Sequence, residues 1–218
     1  MRLLRNGKGG PRLILAHGAG APMDSDAMER LTDALVGVGF EVVRFEFQYM
    51  MRRREDGRRR PPDREPRLIE RWLEAIETVR QSGDENEPLF IGGKSMGGRM
   101  ATLLASRQAP GCVQGCLAFG YPFHPPGKPE RWRTDHFPAL SVPLWIAQGE
   151  RDPFGRREEV SGNPCMAHIQ RLHWVEQGNH DLKPTKRSGV TWDEALQEAA
   201  ADAMAFVKQA GTSRDAAS

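Results

Sequence analysis

The chain is expected to fold as an α/β protein, a three-layer sandwich on a mostly parallel sheet of six or seven strands, with no large cap domain. Three observations lead there. Short apolar runs alternate with longer amphipathic segments from end to end, in the order βαβαβα. Each short run is bounded by Gly, Pro or charge, as buried strands are. The 218 residues, 39% apolar and 28% charged, suffice for one core and have a globular balance.

Only about ten residues precede the first strong strand, Arg12–Ala16, which leaves room for an edge strand around Leu3-Leu4 but not for a full antiparallel start. Met28, Leu31, Leu35 and Val36 recur at helical spacing within residues 26–36, and Gly37 and Gly39 supply the stop before a strand at 41–47. Residues 48–66 read as a long irregular loop. Leu68, Ile69, Trp72, Leu73, Ile76 and Val79 mark the next helix, and a strand follows at 89–92. Met100, Leu103 and Leu104 place a helix at 99–106, ahead of a strand at Val113–Phe119. A second irregular loop spans 120–143, then come strands at 144–147 and Arg171–Val175 and a helix at 192–207. Residues 1–211 make one domain, and the small polar residues 212–218 read as a flexible tail.

The chemistry centres on the strand end Ile91-Gly92-Gly93 followed by Lys94-Ser95-Met96-Gly97-Gly98 and a helix. That is the strand, tight turn and helix of a nucleophile elbow, in which glycines on either side of a strained serine leave room for the neighbouring strand and helix. Ser95 is the expected nucleophile, and the N–H of Met96, at the start of the helix, is the first oxyanion donor. The second is expected from Ala19 or Gly20, in the loop His17-Gly18-Ala19-Gly20 after the first strong strand, with His17 bracing that loop.

A serine hydroxyl is a weak nucleophile near neutral pH and needs an imidazole base oriented by a carboxylate. Asp152, beyond the strand at 144–147, and His180, beyond Arg171–Val175, follow Ser95 in the order Ser, Asp, His. Glu150 and Asp181 are fallback carboxylates. His124 and His136 sit in a Pro-rich loop, and His168 and His173 fall within apparent helix and strand. Tyr49, Met50, Tyr121, Phe123 and Trp132 are candidates to wall an apolar substrate pocket, with packing beneath a loop equally open.

Net charge is only +2, so no global field points to nucleic acid or an anionic membrane. The dense basic cluster, Arg52, Arg53, Arg54, Arg58, Arg59 and Arg60, is diluted by Glu55, Asp56, Asp63 and Glu65. It reads first as a solvated charged loop, second as a site for an anionic substrate. Three cysteines form no paired framework, no signal peptide is evident, and no apolar run approaches about 20 residues, so a soluble cytoplasmic protein is expected. No spacing supplies metal ligands or a phosphate loop, and the chemistry is expected to need no cofactor.

These residues resemble the α/β-hydrolase superfamily over nearly the whole chain, and within it a small lidless group of dienelactone-hydrolase-like proteins. The stretches Leu15-Ala16-His17-Gly18-Ala19-Gly20, Gly92-Gly93-Lys94-Ser95-Met96-Gly97, Tyr121-Pro122-Phe123-His124 and Gly178-Asn179-His180 look like a narrower group. That group contains a testis-expressed hydrolase-like protein and a histone-acetyltransferase-complex subunit. The resemblance implies an esterase-type fold and triad, and also that some relatives serve as scaffolds. Dienelactone hydrolases carry a cysteine where this chain has Ser95, so no lactone substrate is assigned.

The expected function is therefore hydrolysis of a small carboxylic ester or thioester through an acyl-enzyme on Ser95; peptidases and C–C hydrolases use the same parts. The alternative is a hydrolase-shaped interaction protein whose arginine-rich loop binds an acidic partner. Acyl preference and oligomeric state depend on loop conformations and surfaces that these motifs do not specify.

Overall fold

A computed structural model describes residues 1–82, 88–107 and 109–215. The apolar runs become seven strands: β1 (Leu3–Asn6), β2 (Arg12–Ala16), β3 (Glu41–Phe45), β4 (Leu89–Lys94), β5 (Val113–Phe119), β6 (Leu144–Gly149) and β7 (Arg171–Val175). They form one sheet in the order β1-β3-β2-β4-β5-β6-β7. β1 runs antiparallel to β3, and every other pairing is parallel. β2, β3 and β6 are buried along their whole length, which explains why they are mostly apolar rather than alternating, with the buried charges Arg12 and Glu41 paired to each other and Arg44 paired to Glu29.

The helices are α1 (Asp26–Gly37), α2 (Gln48–Asp56), α3 (Glu65–Gln81), α4 (Met96–Arg107), α5 (Arg157–Ser161) and α6 (Trp192–Asp215). The core has two layers, one on each face of the sheet. In one, Trp72, Ile76 and Val79 of α3 and Leu103 and Leu104 of α4 pack on Ile14, Val43, Phe45 and Ile91. In the other, Leu31 and Leu35 of α1 and Ala199 and Ala203 of α6 pack on Leu13, Leu15, Leu117 and Trp145. No helix among the described residues is long and apolar enough to cross a membrane.

The chain steps outward from β2 to β3 on one face and returns over the other to β4, so β2 and β4 are neighbours whose exits diverge. In open α/β sheets that divergence makes a crevice at the carboxyl ends of the strands. Ser95 and the loop of residues 17–25 both leave the sheet there.

Several boundaries differ from the sequence expectation: β4 reaches Lys94 rather than residue 92, β6 reaches Gly149 rather than residue 147, and α4 starts at Met96 rather than residue 99. Residues 48–56, read as loop, form α2, because this helix buries only Tyr49 and Met50 and carries no apolar stripe to betray it. Asp63 accepting the Tyr49 N–H at 2.9 Å and a left-handed Gly57 at its end hold it instead. β3 stops at Phe45 for the same reason, Phe47 being the cap of α2. The C-terminal helix runs through the first four residues of the expected tail, to Asp215, and residues 216–218 lie outside the described residues. Residues 120–143 are irregular apart from one turn of 3-10 helix at Phe137–Ala139.

Leu117 is fully buried in the middle of the sheet. Leu117→Ala is expected to lower unfolding stability by about 3 kcal/mol, read by urea denaturation, with the slope of the transition unchanged.

Candidate active site

Ser95 has φ of +51°, a left-handed conformation costly for a residue with a side chain. The turn is held by Ser95 N–H donating to Phe119 O at 2.9 Å and by Arg99 N–H donating to Ser95 O at 3.0 Å, the first bond of α4. Gly93 and Gly97 permit it: a Cβ on Gly97 would stand 2.5 Å from Ala16 O and 2.7 Å from His17 O, and one on Gly93 also 2.5 Å from Ala16 O. α4 can start against the end of β2 only without those atoms.

His180, on the loop after β7, places Nε2 2.9 Å from Ser95 Oγ and Nδ1 2.7 Å from Asp152 Oδ2. Asp152, on the loop after β6, is wholly buried; Oδ2 also accepts from Gln148 Nε2 at 2.8 Å and Oδ1 accepts from the Phe154 N–H at 2.9 Å. An ionised carboxylate accepts only, so Nδ1 carries the imidazole proton and Nε2 is free to accept from the serine O–H. The ring of Phe154 lies against the imidazole, 4.3 Å between centroids, and restricts its rotation. Ser95, Asp152 and His180, which follow three different strands, thus come together in one hydrogen-bonded chain.

The loop of residues 18–20 is braced from α2. Buried His17 accepts the Phe47 N–H on Nε2 at 3.1 Å, so Nδ1 donates to Gly18 O at 2.7 Å, and burial keeps the ring neutral by lowering its proton affinity. Tyr49 donates its hydroxyl to Ala19 O at 3.1 Å, and Arg53 Nη1 donates to Gly20 O at 3.0 Å. In a trans peptide the N–H points opposite to the preceding C=O, so the N–H groups of Ala19 and Gly20 are turned away from α2. Ala19 and Gly20 line one cleft of about 300 Å³ together with Ser95, Phe154 and His180. Met96 N–H, at the helix start, is one of the donors that a helix terminus leaves without an intrahelical acceptor.

Lys94, directly before Ser95, lines the same cleft and is nearly buried; its Nζ lies 3.1 Å from Asp181 Oδ1, directly after His180. Burial pulls its proton affinity down and Asp181 opposes that. The neighbours in sequence of the serine and the histidine are therefore paired with each other. Gly120, at φ +63°, sits beneath this pair, where a Cβ would come within 2.5 Å of His180 O.

None of the five residues expected to wall a pocket lines this cleft. Tyr49 and Met50 are buried in α2, and Tyr121 and Phe123 are buried under the 120–143 loop, where Tyr121 stacks edge-on with Phe123 and Phe137. Half-buried Trp132 packs on Phe123 and His124. These aromatics face inward because the loop needs an apolar underside of its own. Phe154, Lys94 and Gln148 were missed; Phe154 is two residues from Asp152 and Lys94 one from Ser95, so proximity in sequence was the available signal.

The fallback carboxylates are engaged elsewhere, Asp181 by Lys94 and Glu150 by the Gln177 N–H and Arg157. His124 is held by Pro125 O and Glu159, His173 stacks on Trp145, and His136 bonds Thr102 Oγ1 at 2.9 Å. Much of the arginine cluster is paired: Arg52 with Asp63, Arg54 with Glu46 and Asp24, Arg60 with Asp56. With Tyr49 and Pro61, Arg52 and Arg60 border a separate groove of about 710 Å³ that holds none of Ser95, Asp152 and His180.

A family profile described as "Alpha/beta hydrolase domain" matches residues 9–208. No curated protein matches the chain significantly. Among solved structures, a dienelactone hydrolase from Anabaena variabilis is similar at 19% identity and TM-score 0.70, over 96% of this chain and 92% of that one. An alpha-beta serine hydrolase homologue from Coxiella burnetii is similar at 18% and TM-score 0.67, over 92% and 89%. Est1E from Butyrivibrio proteoclasticus is similar at 14% and TM-score 0.66, over 94% and 90%. At these identities the likeness is one of fold.

Two outcomes are expected. Gly97→Ala drives a Cβ into backbone carbonyls that cannot yield, and should cost about 2 kcal/mol in denaturation together with loss of reactivity at Ser95. Burial and the nearby Arg99 charge push His136 down from 6.5 to about 4. Between those values the unfolded chain binds more protons, so stability should fall as pH drops from 7 towards 4, and His136→Gln should shallow that slope in melts taken across the range.

Proposed function

The chain belongs to the alpha/beta hydrolase domain family, and on that premise we propose that it is a serine hydrolase cleaving a small carboxylic ester or thioester. The observation that carries this reading is the continuous chain of hydrogen bonds from Ser95 Oγ through His180 to buried Asp152. It opens on a cleft bordered by two loops with backbone N–H groups. The size of that cleft suits a small acyl group rather than a large lipid.

In the proposed reaction Ser95 Oγ attacks the carbonyl carbon while His180 Nε2 takes its proton, and Asp152 holds the resulting imidazolium. The negative charge that develops on the carbonyl oxygen is met by Met96 N–H and by Ala19 or Gly20 N–H. Collapse expels the alcohol or thiol, which takes the proton back from His180. Water then attacks the Ser95 acyl ester, His180 again accepting the proton, and the acid leaves. Every proton taken is returned, and no other group is consumed.

Phe154 and the Lys94–Asp181 pair support the same chemistry indirectly, the first by limiting rotation of the imidazole, the second by tying the histidine loop to the elbow.

Purified protein is expected to label with a fluorophosphonate probe and to hydrolyse p-nitrophenyl acetate, both lost in Ser95→Ala, with turnover down by about 10³-fold or more. Equal labelling of wild type and Ser95→Ala, or no labelling of folded protein, would sink the reading and favour an interaction protein of this fold.

A further inference from the structure

α3 carries more apolar surface than the core takes up. Leu68, Trp72, Ala75, Ile76 and Val79 are buried toward the sheet, the one stripe that a helix covering a sheet requires. Ile69 and Leu73 stand one residue round from Leu68 and Trp72, at i, i+4 spacing, and are only half-buried. Pro66, three residues before Ile69, continues this second stripe to the start of the helix and is exposed. The stripe, with Leu103 and Leu104 of α4 and with Arg67, Glu70 and Arg107, lines a groove of about 580 Å³ between the two helices.

That groove runs on into another. Pro66 and Arg67 also border the groove of about 710 Å³ that Arg52, Arg60, Arg64 and Pro61 line, so the two are contiguous around the start of α3. The result is one furrow, apolar along α3 and α4 and basic toward α2.

Charge sets this face apart from the rest of the molecule. Residues 49–67 hold eight arginines against Glu55, Asp56, Asp63 and Glu65, whereas the whole chain is only +2, so the remainder is net negative. Arg52 and Arg60 are held by Asp63 and Asp56. Arg64 and Arg67 are exposed and meet no acid among the described residues.

These features select among occupants. A small anion finds Arg52 and Arg60 already engaged and leaves Ile69 and Leu73 uncovered. A nucleic-acid strand gains from rings on which to stack, and Tyr49, the one aromatic residue lining the furrow among the described residues, is buried. A peptide helix with apolar side chains at i, i+4 and i+7 and carboxylates beside them meets both parts at once. We propose that the furrow is a docking site for an acidic amphipathic helix of a partner protein, its apolar face on Ile69 and Leu73 and its carboxylates on Arg64 and Arg67. The furrow holds none of Ser95, Asp152 and His180, so docking leaves the cleft open and stands whether or not the hydrolase reading does.

The probe is a fluorescein-labelled peptide of about 18 residues, leucine at i, i+4, i+7 and i+11 and glutamate at most other positions, titrated against the full chain by anisotropy. Saturable binding is expected. Arg64→Gln with Arg67→Gln should weaken it by about 5- to 30-fold, the worth of two screened ion pairs, with thermal melts unchanged. Leu73→Gln should weaken it by about 10-fold. Arg58→Gln with Arg59→Gln, in the same basic segment but outside the lining, should change it by no more than about 3-fold. Equal binding of a glutamate peptide without the leucines, or equal loss in both arginine doubles, would reduce the furrow to a diffuse basic field and overturn the proposal. So would no peptide binding at about 1 mM, or tighter binding of oligo(dT). Self-association of the chain, seen by sedimentation and abolished by Arg64→Gln with Arg67→Gln, would overturn it in favour of a second copy. Ser95→Ala should bind the peptide as wild type does, so failure of docking and failure of fluorophosphonate labelling are read separately.

Discussion

The approach of α4 to the last carbonyls of β2 is the constraint on which the site depends, because strand and helix meet at a distance that no Cβ would tolerate. Gly93 and Gly97 supply that distance. It forces the residue between them into a left-handed conformation, and the residue is Ser95. From there the rest follows. The hydroxyl meets His180 at the sheet edge, and the loop leaving β2 is brought beside it in one cleft. A side chain at either glycine would separate these three together.

Around this contact the protein uses its sheet as a ruler. β6 and β7 run parallel to β4 and end at the same edge, so their exit loops deliver Asp152 and His180 to the serine from elements far apart in sequence. The loops are then locked by interactions of different kinds: a buried carboxylate with three donors, an aromatic ring on the imidazole, and an ion pair between Lys94 and Asp181. α2 contributes from the side, its Tyr49 and Arg53 holding the carbonyls of the loop after β2. A helix that buries little of itself is here a brace for its neighbour.

Charge is handled unevenly. Of the six conspicuous arginines of residues 52–60, Arg52, Arg54 and Arg60 are paired with acids close by, and Arg53 is turned onto the Gly20 carbonyl. Density of charge along a chain and strength of field at a point are therefore separate quantities. The second depends on which counterions the fold brings near.

What the sequence determined by itself was local or periodic: the alternation that makes a parallel sheet with helices on both faces, the glycine-flanked turn at Ser95, and the placing of Asp152 and His180 just after strands. These are legible because strand, elbow and loop are each specified within a few residues by backbone sterics and apolar spacing. What only the tertiary structure decided was which side chains meet across the fold. α2 has no apolar stripe and exists through Asp63 and its capping glycine. Tyr121 and Phe123 turn inward beneath their loop rather than toward the serine. Lys94 finds Asp181 from 87 positions away. Such pairings depend on distances between segments that folding sets, and one-dimensional spacing holds no record of them.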